Sequence, residues 1–554
     1  MTLDGMAERE SDVTAGLDHV LTAHQPFGPI VTEDVVHLGP DTADRLFDRS
    51  NRSYRQAAGE DTPTYIIGRK GAGKTAFLMG SNHVAGPARE VLRTENVYHE
   101  MLKVLTTYSR DHEPFVDQRA EIWQALFEHV AMLHAWSGFD GDDRRGRLNT
   151  IAGYLGRSTE PGVTGTAVAE RFLVALRRRL LDHGGEGLSE AIANVTHDGQ
   201  VPFGAARAAT LDLLAERPRP LLVVMDNLED LHLRLPELTP ALTGLFRCAG
   251  TVIARHHGHR PYGVQICLPS ELFDKIHELA AAPEKDLRGR YLKIYWTAPE
   301  LLRLTANRLV LFLRTHHPEQ LAMLERRAAH NDEPDPAIAV LRAALPDRVR
   351  SGLDIDEDPL AYLLRHTQLL PRHLIQILNS VFSRRDRGST PWDVTPAAVL
   401  AGTRYAEHPL VAGVLAAYQT SYPLAGAVLR RLAGRIDLSF PARGLHRVYN
   451  QQGIRKLTGL DFDEFLAMLF TLGVLGVRFD QTGRYNKAHF QYTFDYDLIA
   501  REDADQLCVH PLFTRYLLER SLPRLREAGA HATYPYGCDP RGEDYRDAFG
   551  YLDP

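Results

Sequence analysis

The first strong apolar run in the chain, Thr64-Tyr65-Ile66-Ile67, passes straight into a glycine-rich stretch and reads as a strand. Residues 76–216 then show charged faces with apolar returns every three or four positions, as in 120–136 and 167–181, which predicts mostly helix. A second continuous apolar run, Leu221-Leu222-Val223-Val224-Met225, suits a strand buried on both faces of a parallel sheet. Helix-like sequence continues to about residue 255. Two further strand signals follow, Val264-Gln265-Ile266-Cys267-Leu268 and Tyr291-Leu292-Lys293-Ile294-Tyr295-Trp296, with a helical pattern over 271–280 between them. Strands alternating with helices predict an α/β domain built on a parallel sheet. After Pro299 the strand signals stop, and residues 300–420 read as helices broken by acidic, proline-containing loops at 331–336 and 354–359. Residues 421–500 mix three helical patterns with a β-like ending. The expected organisation is a lead-in over 1–60 and a core over 61–299, with a helical insertion over about 80–216. A helical lid over 300–420, a small module over 421–505 and a tail over 506–554 follow.

Composition narrows the class. The chain has 554 residues, 44% hydrophobic and 24% charged, ordinary values for a multidomain globular protein. The net charge of −7 provides no global field for nucleic acid, so any DNA contact needs a local basic patch. Cys248, Cys267, Cys508 and Cys538 are scattered without a C-x-x-C pair, which fits a reducing cytoplasm better than a disulfide framework or zinc site. The acidic start MTLDGMAERESDV has no apolar core of a signal peptide, and no run approaches the ~20 apolar residues of a membrane helix.

Gly68-Arg69-Lys70-Gly71-Ala72-Gly73-Lys74-Thr75 matches the phosphate-binding pattern G-x-x-x-x-G-K-[ST] in full. Glycines let the backbone curl so that successive N–H groups face phosphate oxygens, and the helix that opens at Thr75 and Ala76 adds its positive end. Lys74 is expected on the β- and γ-phosphates and the Thr75 hydroxyl on Mg²⁺. The expected ligand is therefore ATP with Mg²⁺. Lys70 reads as an exposed cation of the loop. Asp226 closes the second apolar strand, where such proteins hold Mg²⁺; a helix N-cap is its other reading. Glu229 is the candidate general base, polarising the attacking water, or else a solvated first-turn residue.

The order of these elements resembles the AAA+/STAND group of P-loop ATPases, especially its bacterial origin-recognition-like and KAP-like members. The resemblance rests on GRKGAGKT at 68–75, LLVVMDNLED at 221–230, VQICLPSELF at 264–273, YLKIYWTAPELLRLTANRL at 291–309 and LLPRHLIQILN at 369–379. It implies a sensor at Ser270 or Glu271, an arginine finger at Arg288 or Arg290, and a lid arginine at Arg372 reaching the γ-phosphate. The family commonly places glutamate directly after the strand-end aspartate, whereas Asn227 stands here. Arg308 is expected to pair with acidic lid residues. Trp123 and Trp136 read as core, and His256-His257-Gly258-His259-Arg260 as a basic loop rather than a metal site.

The resemblance also implies a winged helix over 421–494. Helical patterns at 422–433, 445–457 and 462–475 would surround a strand at 436–440, with a hairpin of 477–479 and 489–494 about Thr482-Gly483. Arg430, Arg431, Arg435, Arg443, Arg447, Arg455, Lys456, Arg484 and Lys487 give this stretch the density of cations that phosphate contacts need, yet the third helix is acidic and apolar. DNA binding and protein contact both remain open. Cys508 and His510 lack an orienting third group for nucleophilic catalysis. The expected function is a nucleotide-driven ATPase switch or motor, with a homo-oligomer or a separate effector protein as partners and no membrane. The other reading is a scaffold that uses ATP as a clamp with little hydrolysis.

Overall fold

The computed structural model describes residues 17–31, 35, 45–47, 51–57, 64–80, 90–93, 116–137, 146–155, 174, 178, 201–217, 221–226, 235–255, 262–270, 291–383, 394–491 and 506–539. The chain forms two compact units: Ser53–Arg69 with Phe77–Ile294, and Met1–Arg52 with Lys70–Ala76 and Tyr295–Pro554.

The first unit is an α/β layer structure. It opens with most of helix α1 (Arg52–Ala57). Strands β1 (Tyr65–Gly68), β2 (Glu90–Arg93), β3 (Leu221–Met225), β4 (Tyr262–Pro269) and β5 (Tyr291–Lys293) form one sheet in the order β2-β3-β4-β1-β5, every pairing parallel. Every residue of β1 and β3 is buried, as their unbroken apolar runs require of strands covered on both faces. Helix α2 (Lys74–Gly80) follows β1. Between β2 and β3 lie α3 (Val116–Ser137), α4 (Arg147–Leu155) and α5 (Phe203–Ala215), and between β3 and β4 lies α6 (Leu235–Arg255). The steps β2→β3 and β3→β4 move the same way along the sheet, so right-handed crossovers put both connections on one face. Accordingly α3 packs along α6, and the buried indole of Trp123 donates to the Ala241 carbonyl at 2.9 Å. The step from β1 to β2 runs the opposite way, which the same rule assigns to the other face.

One expectation changes here. Strand β2 falls in the stretch read as mostly helical. Its four residues, Glu-Val-Leu-Arg, hold only two apolar positions and earn their strand by pairing with β3, a partner more than a hundred residues away. Leu133, Ile151, Tyr154 and Leu213 form a core of their own among α3, α4 and α5, so the insertion carries its own apolar centre.

In the second unit, α7 (Ala298–His316) opens with a capping box between Thr297 and Glu300. Helices α8 (Pro318–Ala328), α9 (Pro336–Ala343), α10 (Pro359–Arg365), α11 (Pro371–Ser383) and α12 (Pro396–Ala417) follow, with a small ladder of β6 (Val349–Arg350) and β7 (Asp356–Glu357). Residues 17–30 are bound to this bundle, although the sequence reads as a loose lead-in. Asn379 in α11 accepts from Phe27 N at 3.0 Å and donates to the Gly28 carbonyl at 2.8 Å, and Arg308 donates to the Phe27 carbonyl at 3.0 Å. Arg308 thus holds a main-chain oxygen of the lead-in.

Next come α13 (Ala425–Leu432), β8 (Ser439–Pro441), α14 (Ala442–Gln451), α15 (Ile454–Thr458) and α16 (Phe462–Thr471). The hairpin β9 (Leu475–Thr482) and β10 (Tyr485–His489) turns at Gly483, whose φ is 57°. The return strand therefore precedes the expected 489–494. Strand β11 (Gln506–Val509), helices α17 (Pro511–Leu518) and α18 (Leu522–Glu527) and strand β12 (Ala532–Pro535) complete a sheet in the order β12-β10-β9-β11-β8. Gln368 donates to the Leu472 carbonyl at 3.0 Å, and Arg484 to the carbonyls of Leu353 and Asp354 at 3.2 and 3.0 Å. These bonds tie the helical bundle to the C-terminal sheet. Among the described residues no helix is long and apolar enough to cross a membrane.

Candidate functional site

Strand β1 is held between β4 and β5, with Gly68 opposite Pro269 and Ile67 opposite both Leu268 and Lys293. Because β1 and β3 run parallel with β4 between them, Gly68 and Asp226 emerge at the same sheet edge, roughly 10 Å apart at two inter-strand spacings. In the strand order, the step from β1 to β2 runs opposite to the step from β4 to β5, and open α/β sheets bind their ligands where the order reverses in this way. Asp226 directly follows β3 and is only 2% exposed. Pairing of β3 with β2 on one side and β4 on the other fixes where that carboxylate leaves the sheet.

The glycine-rich loop leaves β1 at Arg69, and its residues Lys70–Ala76 belong to the second unit. Gly71 and Gly73 have φ of 90° and 91°, left-handed values that glycine takes without steric cost. Two contacts pin the loop within that unit. The Trp296 indole N–H donates to the Ala72 carbonyl at 2.8 Å. Arg372, second residue of α11, lies over Gly71: a Cβ added there would come within 2.9 Å of Arg372 Cβ. Arg372 Nε is buried and finds no hydrogen-bond partner among the described residues. Lys74, the first residue of α2, is 6% exposed, whereas Arg69, Lys70, Gly71, Gly73, Thr75 and Ala76 are partly exposed.

The approach of Arg372 depends on an unusual turn. Leu369 has φ of 51°, a conformation rare for a bulky residue. A buried polar set holds it: the Thr367 hydroxyl donates to the Leu364 carbonyl at 2.7 Å and accepts from Leu369 N at 3.2 Å, while His373 Nδ1 accepts from Gln368 N at 3.3 Å. Such strain persists only where its surroundings over-determine it, and here it sits three residues before Arg372.

The structure brings Gly71, Ala72 and Arg372 together in one unit, and puts Gly68 and Asp226 on one edge of the other. Ser270 directly follows β4. Glu229, Glu271, Arg288, Arg290 and the 256–260 stretch lie outside the described residues. Among the described residues no cluster of three or more His, Cys, Asp or Glu could hold a metal. Trp296 is the contact that sequence reasoning missed; its alternation within Tyr291–Trp296 looked like a strand, and nothing local marks its indole as a loop anchor.

Cys508 and His510 are structural. Burial pushes the Cys508 thiol up to about 11, its Sγ lies 3.6 Å from the Ser439 hydroxyl, and His510 Nδ1 caps α17 by accepting from Leu512 N at 3.1 Å. No known protein family, curated protein or solved structure matches this chain.

Proposed function

We propose that this chain is a Mg-dependent, ATP-binding P-loop ATPase of AAA+/STAND type, with a helical lid and a C-terminal winged helix. One observation carries the reading: GRKGAGKT joins a fully buried parallel strand to a helix, with both Gly71 and Gly73 left-handed. A loop so shaped turns backbone N–H groups into one concavity, which suits phosphate oxygens. The residues fit the group they would hold. Lys74 offers one buried ammonium for the β- and γ-phosphates, and the Thr75 hydroxyl and the Asp226 carboxylate are hard oxygen donors of the kind Mg²⁺ takes. Gly68, Arg69, Lys70, Ala72 and Ala76 complete the loop. Bound Mg·ATP supplies the phosphoryl group and a metal charge that neutralises its oxygens.

The chain's own groups do the rest. Glu229 orients and deprotonates the attacking water, and Arg372 contributes positive charge from the lid to the γ-phosphate. Because Arg372 already touches Gly71, lid and loop respond to one another through a packed contact. The order of α13, β8, α14, α16 and the β9–β10 hairpin supports the winged-helix reading. On α16 the exposed positions are Asp463, Glu464 and Ala467, while Arg443 and Arg447 on α14 and Arg455 and Lys456 on α15 are exposed cations. DNA, where bound, is therefore held by its phosphates. A homo-oligomer or a separate effector protein would be the output of the switch.

The second reading, an ATP clamp with little hydrolysis, is favoured by Asn227 standing after Asp226. Lys74→Ala should weaken ATP binding by calorimetry at least a hundredfold with the circular-dichroism spectrum unchanged; wild-type affinity would overturn the loop assignment. Glu229→Gln separates switch from clamp. Binding should persist while turnover drops at least tenfold, within the range of a lost general base. Undetectable turnover in the unaltered protein would favour the clamp.

A further inference from the structure

A cleft of about 660 Å³ opens among α12, α13 and α17, all within the second unit and outside the glycine-rich loop. That volume is in the range of small-molecule sites, which run from about 300 to 1,000 Å³. Its rim carries Arg404, Arg430, Arg515 and Arg520. Arg515 is paired with Glu519 at 2.8 Å. The other three guanidiniums make no hydrogen bond or ion pair among the described residues. Three exposed cations on one rim attract an anion, which gains forked, charge-assisted hydrogen bonds from them.

The wall of the cleft has the opposite character. Glu407 of α12 is 7% exposed. Its Oε1 lies 3.1 Å from His366 Nδ1, and its Oε2 is buried without a hydrogen bond. A buried carboxylate oxygen left unmatched costs stability until a donor reaches it. Val411 and Leu512, 2% and 0% exposed, form the apolar floor beside it. The cleft thus offers cations for phosphate, apolar side chains for a ring, and one acceptor for an N–H.

We propose that this cleft is a second nucleotide site, for a small phosphate-bearing nucleotide whose base carries an amino group. The phosphate sits among Arg404, Arg430 and Arg520. The base packs on Val411 and Leu512 and donates its amino N–H to Glu407 Oε2. A uracil presents carbonyl oxygens beside its single ring N–H, and these face the carboxylate unfavourably. The site is independent of the nucleotide reading of loop 68–75 and survives if that reading fails.

Calorimetry on the full chain carrying Lys74→Ala, which empties the loop of competing phosphate binding, tests the proposal with GMP, UMP, pyrophosphate and a twelve-nucleotide single-stranded DNA as probes. GMP is expected to bind at least fivefold tighter than UMP. Adding Arg404→Glu with Arg430→Glu, both surface changes, should weaken GMP and pyrophosphate at least tenfold. Glu407→Gln should erase the preference for GMP over UMP and leave pyrophosphate unchanged. No binding of GMP, or binding indifferent to the arginine reversals, overturns the site. Equal binding of GMP and UMP reduces it to an anion site and overturns the nucleotide assignment. Tighter binding of the oligonucleotide than of GMP, lost with the same arginines, overturns it in favour of a nucleic-acid surface.

Discussion

Gly71 meets two independent requirements. Its φ of 90° favours glycine, and Arg372 fills the space where any Cβ would go. Gly71→Ala must therefore either shift the loop or push α11 away. We expect it to fold, since the loop is at the surface, but to weaken ATP binding at least tenfold by calorimetry and to raise loop susceptibility to limited proteolysis. Wild-type affinity would show that the contact between Arg372 and the loop does not shape the nucleotide cradle. The sequence pattern makes the glycines and Lys74 legible, because phosphate chemistry demands those residue types at that spacing. It does not reveal Trp296 or the left-handed Leu369. Both act through contacts with residues far along the chain, or through a backbone angle that no residue type announces.

At the scale of elements, α14 and α15 present the basic face. Arg443, Arg447, Arg455 and Lys456 are all exposed, and α16 buries Phe465, Leu466, Met468, Leu469 and Phe470. A helix that spends its apolar residues on packing and its exposed positions on acids is poorly placed to read a groove. Any DNA contact through α14 and α15 should then be to phosphates and sequence-tolerant. Reversing Arg447 and Arg455 to Glu should weaken binding to random-sequence duplex and flatten its salt slope, measured by fluorescence anisotropy from about 50 to 200 mM salt. Basal ATP turnover should be unchanged. No binding by the unaltered protein at low salt would leave a protein-contact module. Strands β1 and β3 were readable as apolar runs, and β4 as a strand signal interrupted only by Gln265. Strand β2 was not, because a short edge strand with two apolar residues has no periodicity to distinguish it from helix. The return strand of the hairpin was misplaced because Tyr485–His489 turns Asn486 and Ala488 inward and so lacks the apolar alternation of Phe490, Tyr492 and Phe494, and only pairing with β9 reveals it.

Across the molecule, buried and half-buried histidines contribute to the response to acid. His129 lies at 1% exposure in α3, with Nδ1 2.6 Å from the Ala125 carbonyl and Nε2 2.8 Å from the Tyr154 hydroxyl. A carbonyl only accepts, so Nδ1 carries the proton and Nε2 accepts from Tyr154. Burial lowers this imidazole to about 4, only partly offset by the bond to Ala125. Burial also lowers His489 to about 4, and burial followed by the Arg365 charge lowers His366. Below the ordinary value of about 6.5 the unfolded chain takes up protons that these native histidines refuse, so stability is complete above that pH and falls towards pH 4. For His129 alone the full loss is on the order of 3 kcal/mol. Chemical denaturation at pH 7 and pH 5 should show a smaller acid loss in His129→Gln than in the unaltered chain; equal losses would mean that His129 does not titrate in this way. The sequence by itself determined the α/β class, the parallel character of the central strands and the residue types of the loop, because strand burial and phosphate geometry each impose a local pattern. Only the tertiary structure decided that Arg372 and Trp296 close on the loop, that residues 17–30 are bound to α7 and α11, and that three arginines share a cleft with Glu407. Those outcomes depend on which distant surfaces meet, and no local periodicity encodes that.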